Sequence, residues 1–183
     1  GRLMQFRIRQ GNGLKGEIVV PGDKSISHRA IMLASLANGN SEISGLLEGE
    51  DCLSTIEVFQ KMGVSISKEN GKYLVEGKGI KGFDDPSIPL DFGNSGTSVR
   101  LCAGVLAAQK FSSTLLGDRS LTSRPMQRII EPLCLMGAHV SGSEEGTLPL
   151  KIVPSGFLNS IKYSLPVTSA QVKSCIMFAS LYA

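Results

Sequence analysis

The sequence predicts an α/β fold in which sheets coat the outside and helices fill the middle. Three observations lead to this class. Segments 26–38 and 101–108 read as helices with almost no polar face, and a helix that is apolar all round must be buried on all sides. Alternating, hairpin-rich strand patterns surround them. The whole pattern then returns after about 70 residues, which indicates a chain built from equivalent units.

The first repeat is read in chain order from its periodicity and turn residues. Residues 3–9 alternate apolar and polar side chains as an antiparallel strand does, Gly11-Asn12-Gly13 forms a turn, and Gly16–Val20 is a second strand. The remaining elements are the helix at 26–38, a short strand at 41–47, an amphipathic helix at 51–62, and strands 64–68 and 72–76 joined over Asn70-Gly71. Each repeat therefore reads helix, strand, helix, strand, strand, and a second helix equivalent to 51–62 is expected at Pro125–Met136.

Cations at the starts of the apolar helices are the most informative repeated feature. Small polar residues lead into Arg or Lys and then into an apolar helix three times, at Pro21–Arg29, Gly93–Arg100 and Thr168–Lys173. A helix start offers unpaired N–H groups and a partial positive charge, so these segments suit a carboxylate or a phosphate. We expect Ser25 or Ser27 to cap the first helix, and we expect these helix starts to face one end of the domain.

Composition excludes several classes of function. The chain has 183 residues, 42% of them hydrophobic, with a net charge of +3, 5% aromatic residues and no Trp. It can therefore bury a core, and it lacks the basic patch and stacking residues of a nucleic-acid binder. No segment reads as a membrane span or a signal peptide. The four cysteines lack metal-site spacing and read as buried, reduced thiols, so the sequence indicates no metal, no cofactor and a cytoplasmic location.

Four segments resemble, in the same order and at similar spacing, the motifs of the 5-enolpyruvylshikimate-3-phosphate (EPSP) synthase family: Pro21–Arg29, Gly93–Arg100, Gly117–Met126 and Thr168–Lys173. The resemblance implies the family's enolpyruvyl transferase-like inside-out barrel of repeated βαβαββ units, two such domains closing on substrates in the cleft between them. It also implies enolpyruvyl transfer from phosphoenolpyruvate to the 5-hydroxyl of shikimate 3-phosphate, in aromatic amino-acid biosynthesis.

The resemblance implies site residues at matching positions. Lys24 resembles the family lysine that touches both substrates and takes part in catalysis. Residues matching shikimate 3-phosphate contacts are Lys24, Ser25, Arg29, Ser169, Ala170 and Gln171, and those matching phosphoenolpyruvate contacts are Lys24, Asn94, Gly96, Thr97, Arg124 and Gln171. Ala170 stands where many members carry Ser.

Other charged residues are expected to be structural. Arg100 is interpreted as orienting a loop through carbonyl bonds, and Arg119, Arg128 and Lys110 as solvated cations. Asp23 and Asp118 occupy helix-start and turn positions and are given no acid–base role.

The resemblance also implies an incomplete chain. Family members are more than twice as long, so residues 1–22 match strands that lead into or belong to the other domain, and the incomplete domain holds units at about 23–82 and 83–156 and the start of a third at 157–183. The missing C-terminal half would supply the acid–base groups, and residues 1–183 alone are expected to be inactive.

Two alternatives remain open at this stage. One is a non-catalytic anion-binding or assembly module of the same fold. The other is the sister transfer to UDP-N-acetylglucosamine, whose enzymes carry a reactive Cys in the loop matching 117–124, where this sequence has none. Within the first family, members that resist glyphosate carry Ala at the place of Gly96, so the sequence predicts an enzyme that glyphosate inhibits.

Overall fold

The computed structural model describes residues 3–10, 13–161 and 169–183. The chain divides into two compact units, Gly1–Asp84 and Asp85–Ala183. Gly11 and Asn12 of the predicted turn, and Thr168 of the third predicted helix start, lie outside the described residues. The division into units at 82/83 and 156/157, and the assignment of residues 1–22 to another domain, stay predictions.

The first unit is an antiparallel five-stranded sheet with two helices. Its elements are β1 (Leu3–Gln10), β2 (Gly13–Pro21), α1 (Lys24–Leu36), β3 (Asn40–Ser44), α2 (Glu50–Lys61), β4 (Ser65–Glu69) and β5 (Lys72–Glu76). The strand order is β2-β1-β3-β5-β4. The β4–β5 hairpin turns at Asn70 and Gly71, whose φ angles of 51° and 77° are those of a primed turn. The element order predicted for the first repeat is confirmed.

The second unit contains the same order of helix, strand, helix, strand, strand around a four-stranded sheet, with a short helix inserted and a further helix at its end. Its elements are β6 (Leu90–Asp91), α3 (Gly96–Leu106), β7 (Ser113–Leu116), α4 (Arg119–Thr122), α5 (Gln127–Leu135), β8 (His139–Ser141), β9 (Leu150–Val153) and α6 (Ala170–Ser180). The strand order is β6-β7-β9-β8, so β7-β9-β8 reproduces the order β3-β5-β4 of the first sheet. The internal repeat predicted from the sequence is therefore present in the strand topology.

Two predicted helix starts were wrong in detail. Asp23, and neither Ser25 nor Ser27, caps α1, because its carboxylate accepts the Ile26 N–H at 2.8 Å. An Asp at this position also interacts favourably with the positive end of the helix dipole. Pro125 is not in the first turn of α5, which begins at Gln127 after the cap residue Met126.

Burial of the apolar helices is less complete than the sequence predicts. The helix α3 is buried over nearly its whole length. In contrast, Leu33 of α1 is 45% exposed and Met177 of α6 is 44% exposed. An apolar pattern indicates which side chains can be buried. Whether a helix is covered on every side depends on how many other elements pack against it. Cys134 is likewise exposed, whereas Cys52, Cys102 and Cys175 are buried as predicted. Among the described residues, no helix combines the length and apolar character needed to cross a membrane.

Candidate functional site

Two helix starts lie side by side in the second unit. The Gln171 Nε2 atom of α6 donates a hydrogen bond to Thr97 Oγ1 of α3 at 3.1 Å. Further along the same pair, a Cβ placed on Gly104 would lie 2.2 Å from the Cys175 carbonyl oxygen, so the two backbones are in close contact there. The helices therefore run parallel, and the positive ends of both dipoles face the same end of the unit. This confirms, for α3 and α6, the expectation that the helix starts converge.

Arg100 ties these helix starts to the loop that precedes α5. Its Nη1 atom donates to Gln171 Oε1 at 3.0 Å, and its Nη2 atom donates to the Pro125 carbonyl oxygen at 3.4 Å. Burial lowers the pKa of the Arg100 guanidinium, and the neighbouring Arg124 and Arg128 cations lower it further. The hydrogen bond to the Pro125 carbonyl is of the kind that the sequence predicted for Arg100. The hydrogen bond from Arg100 to Gln171 was not predicted.

Gly96, the first residue of α3, lies beneath two guanidinium groups. A Cβ at this position would lie 2.7 Å from Arg100 Nη1 and 3.0 Å from Arg124 Nη1. The helix is capped by Ser95, whose Oγ accepts the Ser98 N–H at 3.1 Å, and the first N–H groups of a helix have no partners within the helix. Two cations and a helix start around a residue without a side chain form a cradle that suits a phosphate or a carboxylate.

Arg124 reaches this cradle from the turn that follows the short helix α4. Its backbone N–H donates to the Leu121 carbonyl at 3.0 Å, just beyond the last residue of α4. With the next helix predicted at Pro125–Met136, Arg124 was expected directly at its start, but that helix begins later, at Gln127. Its side chain is exposed, as are those of Arg119 and Arg128.

Asn94 is held by Asp118. The Asn94 Nδ2 atom donates to Asp118 Oδ1 at 3.1 Å, and the same carboxylate caps α4 by accepting the Leu121 N–H at 2.8 Å. The Asp118 backbone N–H in turn donates to the Gly93 carbonyl at 2.7 Å. The Leu121 N–H and the Asn94 amide hold the pKa of the Asp118 carboxyl below its ordinary value. A carboxylate bound in this way is a structural group, and its contact with Asn94 was missed at the sequence level.

The start of α6 contains the other predicted anion contacts of the second unit. The Ser169 hydroxyl accepts the Val172 N–H at 3.3 Å and so caps the helix. Ala170 and Lys173 are exposed, and Ser169 and Gln171 are partly buried. The structure thus brings Gly96, Thr97, Arg124 and Gln171 together around Arg100.

In the first unit, the starts of α1 and α2 are joined by two contacts. Lys24 forms an ion pair with Asp51, and His28 Nδ1 lies 2.8 Å from Thr55 Oγ1. Burial lowers the pKa of His28 from 6.5 to about 4; Asp51 opposes the shift, and Lys24 and Arg29 add to it. His28 is therefore neutral at pH 7.

The residues Asp51, Thr55 and His28 were missed by the sequence interpretation. A usable signal was present, because Lys24 and His28 are four residues apart, as are Asp51 and Thr55, and such pairs share a helix face. Ser25 and Arg29 of the same helix start are partly buried. Within the described ranges, no cluster of three or more His, Cys, Asp or Glu residues is arranged to hold a metal ion.

Comparison with known proteins identifies the family. Residues 8–183 match the family model of EPSP synthase (3-phosphoshikimate 1-carboxyvinyltransferase). The chain belongs to the EPSP synthase family. It is 53% identical over 181 residues to a 3-phosphoshikimate 1-carboxyvinyltransferase from Hydrogenovibrio crunogenus, and this match covers 98% of the chain and 41% of the relative. It is 56% identical over 181 residues to the enzyme of that name from Ruthia magnifica, covering 99% of the chain and 41% of the relative.

A solved EPSP synthase from Acinetobacter baumannii has the same fold. It superposes with a TM-score of 0.86 at 50% identity, over 98% of this chain and 41% of that one. The predicted fold class, part of the EPSP synthase architecture, is therefore confirmed. The chain spans about two fifths of the length of the EPSP synthases it matches.

Proposed function

We propose that this chain forms part of an EPSP synthase, which transfers the enolpyruvyl group of phosphoenolpyruvate to the 5-hydroxyl of shikimate 3-phosphate. The observation that carries the proposal is the pair of guanidinium groups, from Arg100 and Arg124, next to Gly96 at the start of α3. Family membership supplies the reaction, and this cradle supplies chemistry that fits one of its substrates.

The proposed cradle binds phosphoenolpyruvate. This molecule carries a phosphate and a carboxylate, and Arg124 together with the N–H groups at Gly96 and Thr97 donates the charge-assisted hydrogen bonds that such a polyanion needs. Asn94, held by Asp118, adds an amide beside them. Arg100 keeps Gln171 in place through the bond between Nη1 and Oε1. Fixed donors of this kind can also stabilise the charge that develops as phosphate leaves.

The residues that match shikimate 3-phosphate contacts in the family are proposed to bind that substrate. Lys24, Ser25 and Arg29 at the start of α1 keep the roles that the family resemblance gives them, and so do Ser169, Ala170 and Gln171 at the start of α6. Ala170 lacks the hydroxyl that many members have, but its backbone N–H is one of the unpaired donors of a helix start. It can therefore still bind a phosphate.

In the reaction, the 5-hydroxyl oxygen of shikimate 3-phosphate bonds to the central carbon of the enolpyruvyl group, and the bond from that carbon to the phosphate oxygen breaks. The hydroxyl loses its proton and inorganic phosphate leaves. The carboxylates described at these helix starts have structural roles and are not assigned as the acid or base: Asp118 caps α4, Asp23 caps α1, and Asp51 pairs with Lys24. Glyphosate, which competes with phosphoenolpyruvate in this family, is proposed to occupy the same cradle. The cytoplasmic location stays a prediction.

The test uses a polypeptide of the relatives' full length that contains this chain, called below the full-length polypeptide. Phosphate release is measured with phosphoenolpyruvate and shikimate 3-phosphate, and then with UDP-N-acetylglucosamine in place of the latter. Release with shikimate 3-phosphate but not with UDP-N-acetylglucosamine as the acceptor supports the proposal. Release only with UDP-N-acetylglucosamine contradicts it in favour of the sister transfer, and binding without release with either acceptor favours a non-catalytic module.

A second arm uses residues 1–183 alone. Because this piece spans 41% of the length of its relatives, it is expected to bind shikimate 3-phosphate weakly and to release no phosphate. Turnover above background by this piece, with its mass verified, would show that the described residues suffice for catalysis.

A further inference from the structure

The two contacts between α1 and α2 differ sharply in their exposure to solvent. His28 and Thr55 are both fully buried, so their 2.8 Å contact lies in the core of the first unit. The Lys24 side chain is 57% exposed and that of Asp51 is 24% exposed. The inner contact therefore fixes the two helix starts against each other, while the outer ion pair lies where a dissolved anion can reach it.

From this difference we infer that Asp51 lowers the affinity of the Lys24 site for an anionic substrate, because its carboxylate forms an ion pair with the ammonium group that the substrate must bind. The inference rests on the proposed function, in which Lys24 contacts substrate. It adds a residue that the family resemblance did not bring into the site, since Asp51 matched no quoted motif.

Asp51 acts by competing for the ammonium group of Lys24. The ammonium group must exchange its bond to the carboxylate for a bond to the substrate. An exposed ion pair of this kind contributes only a modest free energy, so the exchange is easy. Removing the charge of Asp51 is expected to tighten anion binding by about two- to fivefold.

Asp51→Asn is the substitution that removes the charge of Asp51 with the least change in shape. Asn has nearly the same shape as Asp and can still accept a hydrogen bond from Lys24 through its amide oxygen. The lysine therefore keeps a partner while the competing charge is removed. The buried contact between His28 and Thr55 is left untouched, so the position of α1 is expected to be unchanged.

Glu50→Gln is the matched control. Glu50 precedes Asp51 in the first turn of α2 and is exposed. Its replacement removes one negative charge from the same helix start while the ion pair of Lys24 with Asp51 stays in place. A general electrostatic effect would appear in both variants, whereas competition for Lys24 would appear only in Asp51→Asn.

The experiment measures the dissociation constant of shikimate 3-phosphate by calorimetry for the full-length polypeptide and its variants. We expect Asp51→Asn to bind about two- to fivefold more tightly than the unchanged protein, and Glu50→Gln to bind equally well. In a Lys24→Met background, the gain from Asp51→Asn is expected to disappear, because two residues that act through one contact are not additive.

The outcomes separate this inference from the proposed function. If the unchanged full-length polypeptide neither binds shikimate 3-phosphate nor releases phosphate, the proposed function fails, and the inference fails with it. If it binds but Asp51→Asn binds equally or more weakly, only the inference fails. A gain of equal size in the Lys24→Met background would show direct repulsion of the ligand, and would also overturn the inference.

Discussion

Arg100 donates a hydrogen bond from Nη1 to Oε1 of Gln171, a residue 71 positions further along the chain, at 3.0 Å. The two residues come from the starts of different helices, and each makes one more contact: Arg100 with the Pro125 carbonyl and Gln171 with Thr97. Three segments that are distant in sequence are thereby held around Gly96. The position of the Gln171 amide, which is proposed to bind substrate, therefore depends on an arginine that need not touch the substrate.

Replacing Arg100 with Lys in the full-length polypeptide tests this dependence. Lysine keeps the charge but cannot reach both Gln171 and the Pro125 carbonyl with one planar group. Losing a hydrogen bond to a charged group costs about 1.5–3 kcal/mol, so the KM for phosphoenolpyruvate is expected to rise about tenfold or more. Arg128→Lys, at an exposed arginine nearby, is the control and should leave KM within about twofold. A loss of stability with an unchanged KM would mean that Arg100 only supports the fold.

Gly96→Ala is expected to weaken glyphosate more than it weakens phosphoenolpyruvate. The added methyl would meet Arg100 Nη1 at 2.7 Å and Arg124 Nη1 at 3.0 Å, so both flexible side-chain ends must move. Glyphosate is the longer ligand and has less room to adjust, and overpacking of this kind costs about 1–3 kcal/mol. The measurement compares the inhibition constant of glyphosate with the KM of phosphoenolpyruvate in both proteins.

The control for this change is Gly16→Ala, because a Cβ at Gly16 would meet no atom within 4 Å. It should leave both constants unaltered. Equal proportional changes of the two constants in Gly96→Ala would show that the glycine serves only the helix start and does not discriminate between the ligands.

Lys24→Met is expected to reduce activity far more than Lys110→Met. Lys24 is an exposed cation at the start of α1, and removing a group that stabilises developing charge commonly lowers the rate about a hundredfold or more. Lys110 is exposed beyond the end of α3, where a cation contributes only a few tenths of a kcal/mol through the helix dipole. The measurement is kcat/KM for both substrates. Similar losses in the two variants would contradict the role given to Lys24.

The buried His28 makes stability depend on pH. Its pKa is lowered from 6.5 to about 4 in the folded chain, so between these values the unfolded chain binds more protons and the free energy of unfolding rises with pH. The contribution of neutral His28 to the free energy of unfolding is complete above pH 6.5. It is lost as the pH falls, and at pH 4 the free energy of unfolding is lower by about 3 kcal/mol.

Urea unfolding at several pH values between 4 and 7.5 measures this dependence, because the midpoint reports the free energy of unfolding. His28→Gln should flatten the profile relative to the unchanged protein. The chain has two histidines, and the other, His139, is exposed, so His139→Gln should keep the full slope. If His28→Gln kept that slope as well, the buried imidazole would not be its source.

Local patterns in the sequence were sufficient to predict the elements and their repetition. The alternation over 3–9, the Asn70-Gly71 turn and the apolar helices each depend on neighbours in sequence, and each is present. The contact of Lys24 with Asp51 and that of Arg100 with Gln171 join helices from separate segments. A local period can place side chains on one face of their own helix, as with Lys24 and His28, but it does not pair one helix with another, so the sequence indicated the cations but not the groups that hold them.

The error at α1 has a related cause. Asp23, Ser25 and Ser27 are all good caps by residue type, and the choice between them depends on where the backbone leaves the extended region. That point lies at Asp23, with φ −113° and ψ 172°, two residues after strand β2 ends at Pro21. Residue preference alone could not decide among three candidates so close together.

The close passage of Gly104 by the Cys175 carbonyl has a consequence for how this chain can be divided. By sequence, α3 belongs to the second repeat and α6 to the third, and the predicted boundary between these repeats lies near residue 157. In the structure, the absence of a side chain at Gly104 lets the backbone of one repeat pack directly against the backbone of the next. A cut or a recombination point placed between them would leave α3 without the helix that its surface fits, so in this chain α3 and α6 are expected to be exchangeable only together.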